Sequence, residues 1–291
     1  MITVLGTGLL GSGFARALCR KGGPVRVWNR SPEKARALAG LGAVPVADLV
    51  EAVRCAERTH IVLSDDAAVD AVLAAAAPGF ARGALVFDHT TTSTAGALRR
   101  TAYWRERGVL YQHAPVFMGP QNAAESTGIM LVSGERGLVA RVTPLLTPMT
   151  GKLVDLGTRV DAAAAYKLLG NLFLLSLSAG FTDVLALAKS MDLAPAEAAA
   201  LFGHFNPGAA VPARFQRVIE ADYEHPTWEL AMARKDARLM QAEADSAGIA
   251  LATLPAFAAH MDRLIAEGHG HDDWTVVAKD FVGAPAESLA T

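Results

Sequence analysis

Through the first 157 residues, apolar positions fall in short runs of strand length separated by stretches with helical spacing. Ile2-Thr3-Val4-Leu5 is a buried-strand pattern that leads through a glycine-rich turn into a helical stretch ending near Arg20. Strand patterns recur at Pro24–Trp28, Val44–Val46, Thr59–Leu63 and Ala84–Asp88. Helical patterns lie between them, from Ala47 to Cys55, from about Ala67, and from Ser93 to Arg107. This alternation predicts an α/β fold with a doubly wound parallel sheet. Val109–Val116, Gly128–Ser133 and Lys152–Leu156 add three expected strands. In such sheets ligands gather beyond the carboxyl ends of the strands, which singles out Leu63-Ser64-Asp65, Asp88-His89-Thr90-Thr91 and Pro115-Val116-Phe117-Met118-Gly119.

The pattern changes after Gly157. Asp161 to Ser190 contains no proline and is rich in alanine and leucine, which predicts one long helix. The remainder reads as helix broken at Asp192–Pro195, Phe205–Gly208, His225-Pro226, Gly248 and Gly268–Gly270. The expected domains are therefore residues 1–160 and 161–291. The apolar centre of the long helix, Leu168 to Ala179, is short for a bilayer and contains Asn171, Ser176 and Ser178. The expectation is a helix buried between domains or subunits, with a homodimer or homotetramer covering its apolar surface.

Composition narrows the function. A chain of 291 residues with 52% hydrophobic residues has material for two cores, and a net charge of -2 gives no general attraction to nucleic acid or anionic membranes. A small-molecule substrate is the expectation. Cys19 and Cys55 lack the spacing of a redox or metal motif, and a strand that begins at Ile2 leaves no room for a leader, so a cytoplasmic protein is expected. His269-Gly270-His271-Asp272-Asp273 has metal-binding residue types without a helical histidine pair or a cysteine, and it reads as a solvated turn; no metal is expected.

The glycine-rich turn is Gly6-Thr7-Gly8-Leu9-Leu10-Gly11, set between a strand and a helix as a dinucleotide site requires. Gly6 permits the sharp turn, Gly8 lets backbone approach a pyrophosphate, and Gly11 lets the helix pack close to the strand. After the second strand, where an acidic residue would hold an NAD ribose, the chain has Asn29-Arg30-Ser31. An arginine flanked by hydrogen-bonding side chains suits the 2′-phosphate of NADP better than the hydroxyls of NAD, and Ser31 can also cap the following helix. Lys167 and Asn171 lie four residues apart on one face of the long helix. Desolvation would lower the lysine pKa toward the range of a general acid/base, with Asn171 binding the same substrate oxygen. The spacing serves a snorkelling lysine equally well.

These motifs occur together, in order, in β-hydroxyacid dehydrogenases, which the chain resembles over nearly its whole length: Gly6 to Gly11, Trp28 to Ser31, Asp88 to Thr91, Ala114-Pro115-Val116, Lys167 with Asn171, and Lys235-Asp236. The resemblance, to 3-hydroxyisobutyrate dehydrogenase-like and 6-phosphogluconate dehydrogenase-like oxidoreductases, implies an N-terminal Rossmann domain joined by a long interdomain helix to an all-helical C-terminal domain. It implies hydride transfer between NADP and a β-hydroxy acid, semialdehyde or related carbonyl compound. Lys167 would be the acid/base and Asn171 a substrate ligand, with Leu63, Ser64, Thr91 and Lys235 near the cofactor. The chain departs from the family at Phe117-Met118-Gly119, where Ser-Gly-Gly usually holds a substrate carboxylate, and at Gly170, where an asparagine often stands. Phe117 and Met118 either redirect the substrate or point into the core. Imine reductases share this type of cofactor loop and are the alternative, although they generally replace the lysine. A non-catalytic NADP-binding module is a third reading, which the retained lysine opposes.

Overall fold

The computed structural model of the chain describes residues 1–282. The described residues form two compact units, Met1–Leu172 and a second that starts at Phe173, so the division falls inside the long helix. The first unit runs β1 (Ile2–Leu5), α1 (Leu9–Arg20), β2 (Val25–Trp28), α2 (Pro32–Arg36), β3 (Ala43–Pro45), α3 (Leu49–Val53), β4 (Arg58–Ile61), α4 (Asp66–Ala76), β5 (Leu85–Asp88), α5 (Thr94–Glu106), β6 (Leu110–His113), β7 (Val116–Phe117), α6 (Pro120–Glu125), β8 (Ile129–Val132), α7 (Arg136–Leu146) and β9 (Lys152–Asp155). α8 (Ala162–Ser190) begins in it. α9 (Pro195–His204), α10 (Val211–Glu220), α11 (Leu230–Ser246) and α12 (Leu254–Leu264) follow in the second unit.

Six strands form a parallel sheet in the order β3-β2-β1-β4-β5-β6. Successive side chains of β1 point to opposite faces. Val4 joins Phe14, Val27 and Phe87 in one core layer, and Leu5 joins Ile61, Leu73 and Trp104 in the other. Both faces are covered, which is why β1 and β5 are buried at every position. The order reverses between β1 and β4, and the loops at their carboxyl ends, Gly6–Gly11 and Leu63-Ser64, sit at that reversal.

The strand expected over Val109–Val116 is two elements. β6 ends at His113, and Pro115, which has no N–H to donate, stands where the chain leaves the sheet. β7 pairs antiparallel with β8, and β8 parallel with β9, in a separate three-stranded sheet. Pro115 is the one mark in the run of that change of sheet. The chain turn at Ala114-Pro115 matters to function because it aims Phe117 and Met118.

α8 opens on Ala162, Ala163 and Ala164, all buried, with the Ala163 N–H donating to Ser133 Oγ at 3.0 Å. Farther along, Leu169, Leu172 and Leu175 are exposed, as are Phe173 and Phe181. Taken whole, the helix is long and apolar enough to cross a membrane, with a mean hydropathy of 1.6 over its most apolar stretch. Its Asp183 nevertheless has a structural task in the helical unit. The carboxylate accepts from the backbone N–H groups of Ala252, Thr253 and Leu254, capping the start of α12 and holding its own pKa down.

Leu230, Ala233, Met261, Leu264 and Val276 form the core of the helical unit. Asp273 lies beside them, and it corrects the reading of residues 269–273 as a solvated turn. Asp273 is fully buried and accepts from Thr227 N, Thr227 Oγ1, Thr275 N, Thr275 Oγ1 and Arg217 Nη2. His269 pairs with Asp272 and His271 with Glu229. Among the described residues, no group of three or more His, Cys, Asp or Glu side chains could hold a metal ion.

Candidate active site

A cleft of about 600 Å³ opens at the carboxyl edge of the six-stranded sheet. The glycine-rich turn forms one wall. Gly6 has a φ of +94°, and a Cβ there would lie 2.1 Å from the Val62 carbonyl oxygen; a Cβ on Gly11 would lie 1.9 Å from the Gly6 carbonyl oxygen. Those two glycines are dictated by the protein's own packing. Gly8 is different: a Cβ there would meet no protein atom within 4 Å, so the space above it is left for a ligand. The neighbouring Thr7 hydroxyl is buried without a partner, while the Thr7 N–H donates to Asn29 Oδ1 at 2.9 Å. A free hydroxyl and an open approach at the start of α1 fit a pyrophosphate.

The rim at the end of β2 is cationic. Arg30 is exposed and lines the cleft, as do Ser31 and Lys34. Ser31 occupies the N-cap position of α2, yet its side chain makes no capping bond, which leaves the hydroxyl free. Asn29 is largely committed internally, since its Oδ1 serves Thr7 and its Nδ2 donates to Ser31 O at 3.2 Å. The rim thus offers two cations and a hydroxyl, with Asn29 as the strut that joins the two loops. Lys34 went unrecognised from sequence because it reads as an ordinary first-turn residue of a helix.

The opposite wall comes from β4 and β5. Leu63 and Ser64 line the cleft, as do His89, Thr90 and Thr91. Asp65 does not line it: its carboxylate caps α4, accepting from Ala68 N at 2.8 Å, and also accepts a hydrogen bond from the Ser64 hydroxyl at 2.8 Å. Two buried networks fix the Asp88–Thr91 loop. In the first, Asp88 accepts from Thr90 N and from the Tyr111 hydroxyl, and Arg100 Nε donates to that hydroxyl while its Nη atoms bind Asp66 and Asp70. Burial, followed by the Asp88 charge, pushes the Tyr111 phenol well up, so it stays a neutral donor.

The second network is a directed chain. The Ala114 carbonyl accepts at 2.7 Å from His89 Nδ1, so His89 Nε2 must accept in turn from His60 Nδ1 at 2.9 Å. His60 Nε2 then accepts from Arg58 Nε at 3.3 Å. Both imidazoles are neutral: burial holds His60 far below the ordinary histidine value and His89 down to about 4. Sequence reasoning singled out His89 in the Asp88–Thr91 loop but not the pair, because His60 lies inside β4 and only the sheet brings the two rings together. The chain ends on Ala114, at the turn into β7.

Lys167 reaches the cleft from α8. Its side chain is 9% exposed, and burial lowers its pKa from the ordinary lysine value. Nζ donates to Asn171 Oδ1 at 3.0 Å and stands 4.3 Å from the centre of the Phe117 ring. Met118 lines the cleft; Phe117 lies beneath Lys167. Gly119 is the N-cap of α6, and its N–H already donates to Asn122 Oδ1 at 2.9 Å. Lys235 belongs to the second unit, on α11, where it forms an exposed pair with Asp236 at 2.9 Å. Its assignment to the site rests on the resemblance.

Residues 1–157 match the family described as the NAD binding domain of 6-phosphogluconate dehydrogenase. The chain belongs to that family. Residues 160–282 match a second family, described as the C-terminal domain of NADPH-dependent reductive aminase-like proteins. Over 67% of its length the chain is 30% identical to glyoxylate/succinic semialdehyde reductase 2, chloroplastic, of Arabidopsis thaliana, and it spans about half of that relative (55%). It is 25% identical to 3-sulfolactaldehyde reductase of Escherichia coli over 95% of this chain and 94% of that protein. Its fold is shared with an imine reductase from Myxococcus stipitatus solved with NADP+, at a TM-score of 0.89 and 22% identity, covering 96% of this chain and 99% of that one. The protein therefore belongs to a family of NAD(P)-dependent oxidoreductases; its sequence relatives include enzymes named for semialdehyde and sulfolactaldehyde reduction, and its fold is shared with an imine reductase.

Proposed function

We propose that the protein is an NADP-dependent reductase of carbonyl compounds of the semialdehyde or β-hydroxy acid type, with Lys167 as the acid that protonates the nascent alkoxide. The carrying observation is the desolvated Lys167 ammonium in the same cleft as the glycine-rich turn, held by Asn171. Bound NADPH supplies the hydride, so that carbonyl, hydride and one proton give the alcohol and NADP+. Lys167 supplies that proton from Nζ, and takes it back when the alcohol is oxidised. Asn171 Oδ1 keeps Nζ in one rotamer on the cleft side of α8, which favours alignment. Arg30, Ser31 and Lys34 would hold the 2′-phosphate that distinguishes NADP from NAD.

A second reading, reduction of a C=N bond, is supported by the match of residues 160–282 to the reductive aminase-like family. An iminium ion carries a positive charge, and a lysine ammonium at the site of reduction repels it, so the carbonyl reading stands first. A nicotinamide absorbance screen with NADPH, pairing an aldehyde with a cyclic imine of similar size, separates them. Turnover of the imine alone would remove the carbonyl reading. The exposed leucines and phenylalanines of α8 support self-association, and the free thiols of Cys19 and Cys55 suit a cytoplasmic setting.

A further inference from the structure

Ala114 is the first residue past β6, and the end of β5 holds its peptide from both sides. Its N–H donates to Asp88 O at 2.7 Å, and its carbonyl accepts from His89 Nδ1. From this turn the chain enters β7 and carries Phe117 beneath the Lys167 ammonium. His89 can hold the turn only while Nδ1 carries its proton, and that tautomer is set from the start of β4. Arg58 Nε is always protonated, so His60 accepts at Nε2 and donates from Nδ1, which makes His89 accept at Nε2 and donate from Nδ1 in turn. Packing fixes the planes of the two rings, which lie 11° apart, with Phe14 of α1 against His89 at 4.8 Å and Phe87 of β5 against His60 at 5.1 Å. Besides Arg58 at His60, the charged or titratable groups acting on the pair are Asp88 and His113, both at His89. His60 is fully buried and lines no part of the cleft.

We propose that His60 and His89 are positioning residues for the proton transfer: in the hydrogen-bond direction that Arg58 imposes, they fix the turn at Ala114 and through it the Phe117 ring beneath Lys167. The proposal rests on the reading of Lys167 as the proton donor and adds the groups that hold its surroundings. Were His89 protonated on Nε2 instead, a bare Nδ1 would face the Ala114 carbonyl at 2.7 Å, and two acceptors at that distance repel. His60 prevents this by filling the Nε2 position with its own proton, as an orienting partner does for any histidine whose tautomer matters. A turn released at Ala114 moves the start of β7, so that the ring leaves Lys167 and water returns to the ammonium. The Lys167 pKa then rises toward the ordinary lysine value, because burial is what lowers it.

The test follows kcat for NADPH-driven aldehyde reduction against pH, NADPH binding by fluorescence, and the histidine tautomers by nitrogen NMR of histidine-labelled protein. It compares the natural sequence with His60→Asn, His60→Leu, His89→Asn, His89→Gln and Lys167→Ala, each checked for folding by its urea midpoint. An asparagine amide reaches the Nδ1 position of a histidine and a glutamine amide the Nε2 position. His60→Asn therefore keeps the donor to His89, and His89→Asn the donor to Ala114, whereas His60→Leu and His89→Gln lose them. The natural protein should show His60 and His89 both protonated on Nδ1. His60→Leu and His89→Gln should lower kcat about tenfold or more, leave NADPH affinity nearly unchanged and move the alkaline limb of kcat upward, with each asparagine variant recovering most of the loss. The two breaks lie at different links, so either one decides the matter if the other variant does not fold. His89 protonated on Nε2 in the natural protein, an unchanged kcat and limb in the broken variants, or losses that merely follow NADPH affinity overturn the inference, while Lys167-dependent turnover leaves the reductase reading in place. Turnover that survives Lys167→Ala overturns the two together.

Discussion

Gly170→Ala should destabilise the protein although alanine is the better helix former. In an unobstructed helix the exchange would gain about 1 kcal/mol. Here the new methyl would stand 2.3 Å from Phe117 Cζ, more than 1 Å inside ordinary contact, so the ring must move. Overpacking of this kind costs about 1–3 kcal/mol, and withdrawing the ring from Lys167 forfeits a cation–π contact of about 0.5–2 kcal/mol. The net effect is a loss of roughly 2 kcal/mol. In a Phe117→Ala background the obstruction is gone, and the same exchange should stabilise by about 1 kcal/mol, giving a coupling energy on the order of 3 kcal/mol. Urea unfolding of the four proteins measures the cycle. Equal effects of Gly170→Ala in both backgrounds would refute the reasoning, because the contact would then carry no energy.

Arg30→Ala should weaken NADPH binding about tenfold or more, the worth of a hydrogen bond to a charged group, and leave NADH nearly unaffected; fluorescence titration with both cofactors checks this, and equal losses would place Arg30 elsewhere. The neutral His60–His89 pair makes stability depend on pH. Its folded pKa values lie below the unfolded one, so the unfolded chain binds protons first, and stability falls as pH drops below about 6.5 toward 4. For His89 alone that amounts to about 2 kcal/mol by roughly pH 5, above the range where ordinary carboxylates titrate, and a urea midpoint flat between about pH 7 and 5 would contradict it. Self-association through α8 predicts an oligomer in light scattering at micromolar concentration and dissociation when Leu172 and Leu175 are replaced by Glu; a monomeric natural protein would exclude it.

Much of the fold was legible because each element announces itself locally. Ile2–Leu5 is buried at every position since both faces of the sheet are covered, and Gly6, Gly8 and Gly11 each have a distinct local reason to be glycine. The alanine-rich run after Asp161 gave the long helix for the same reason. Contacts between distant residues were not legible. Within Val109–Val116 only Pro115 marks where the chain leaves the sheet, and nothing local shows that β7 then pairs with β8, while Asp273 looked solvated among its polar neighbours when five hydrogen bonds from Arg217, Thr227 and Thr275 bury it. Asp65 sits beside two cleft residues yet turns its carboxylate back to cap α4, a direction that only the loop conformation sets. Phe117 and Gly170 each stood out alone as departures from the family, but their contact exists only once β7 is brought against α8.

The most direct test of the account is the pH dependence of NADPH-driven carbonyl reduction in the natural protein beside Lys167→Ala, followed by nicotinamide absorbance with cofactor binding measured in parallel. Reduction requires the charged ammonium, and burial lowers its pKa, so kcat should fall as pH rises through a value below that of an ordinary lysine; oxidation of the alcohol should show the opposite limb. Lys167→Ala should bind NADPH normally and lose about 10²–10⁴-fold in kcat. A Lys167→Ala protein that keeps both its rate and the alkaline limb would contradict the assignment of the proton to Lys167.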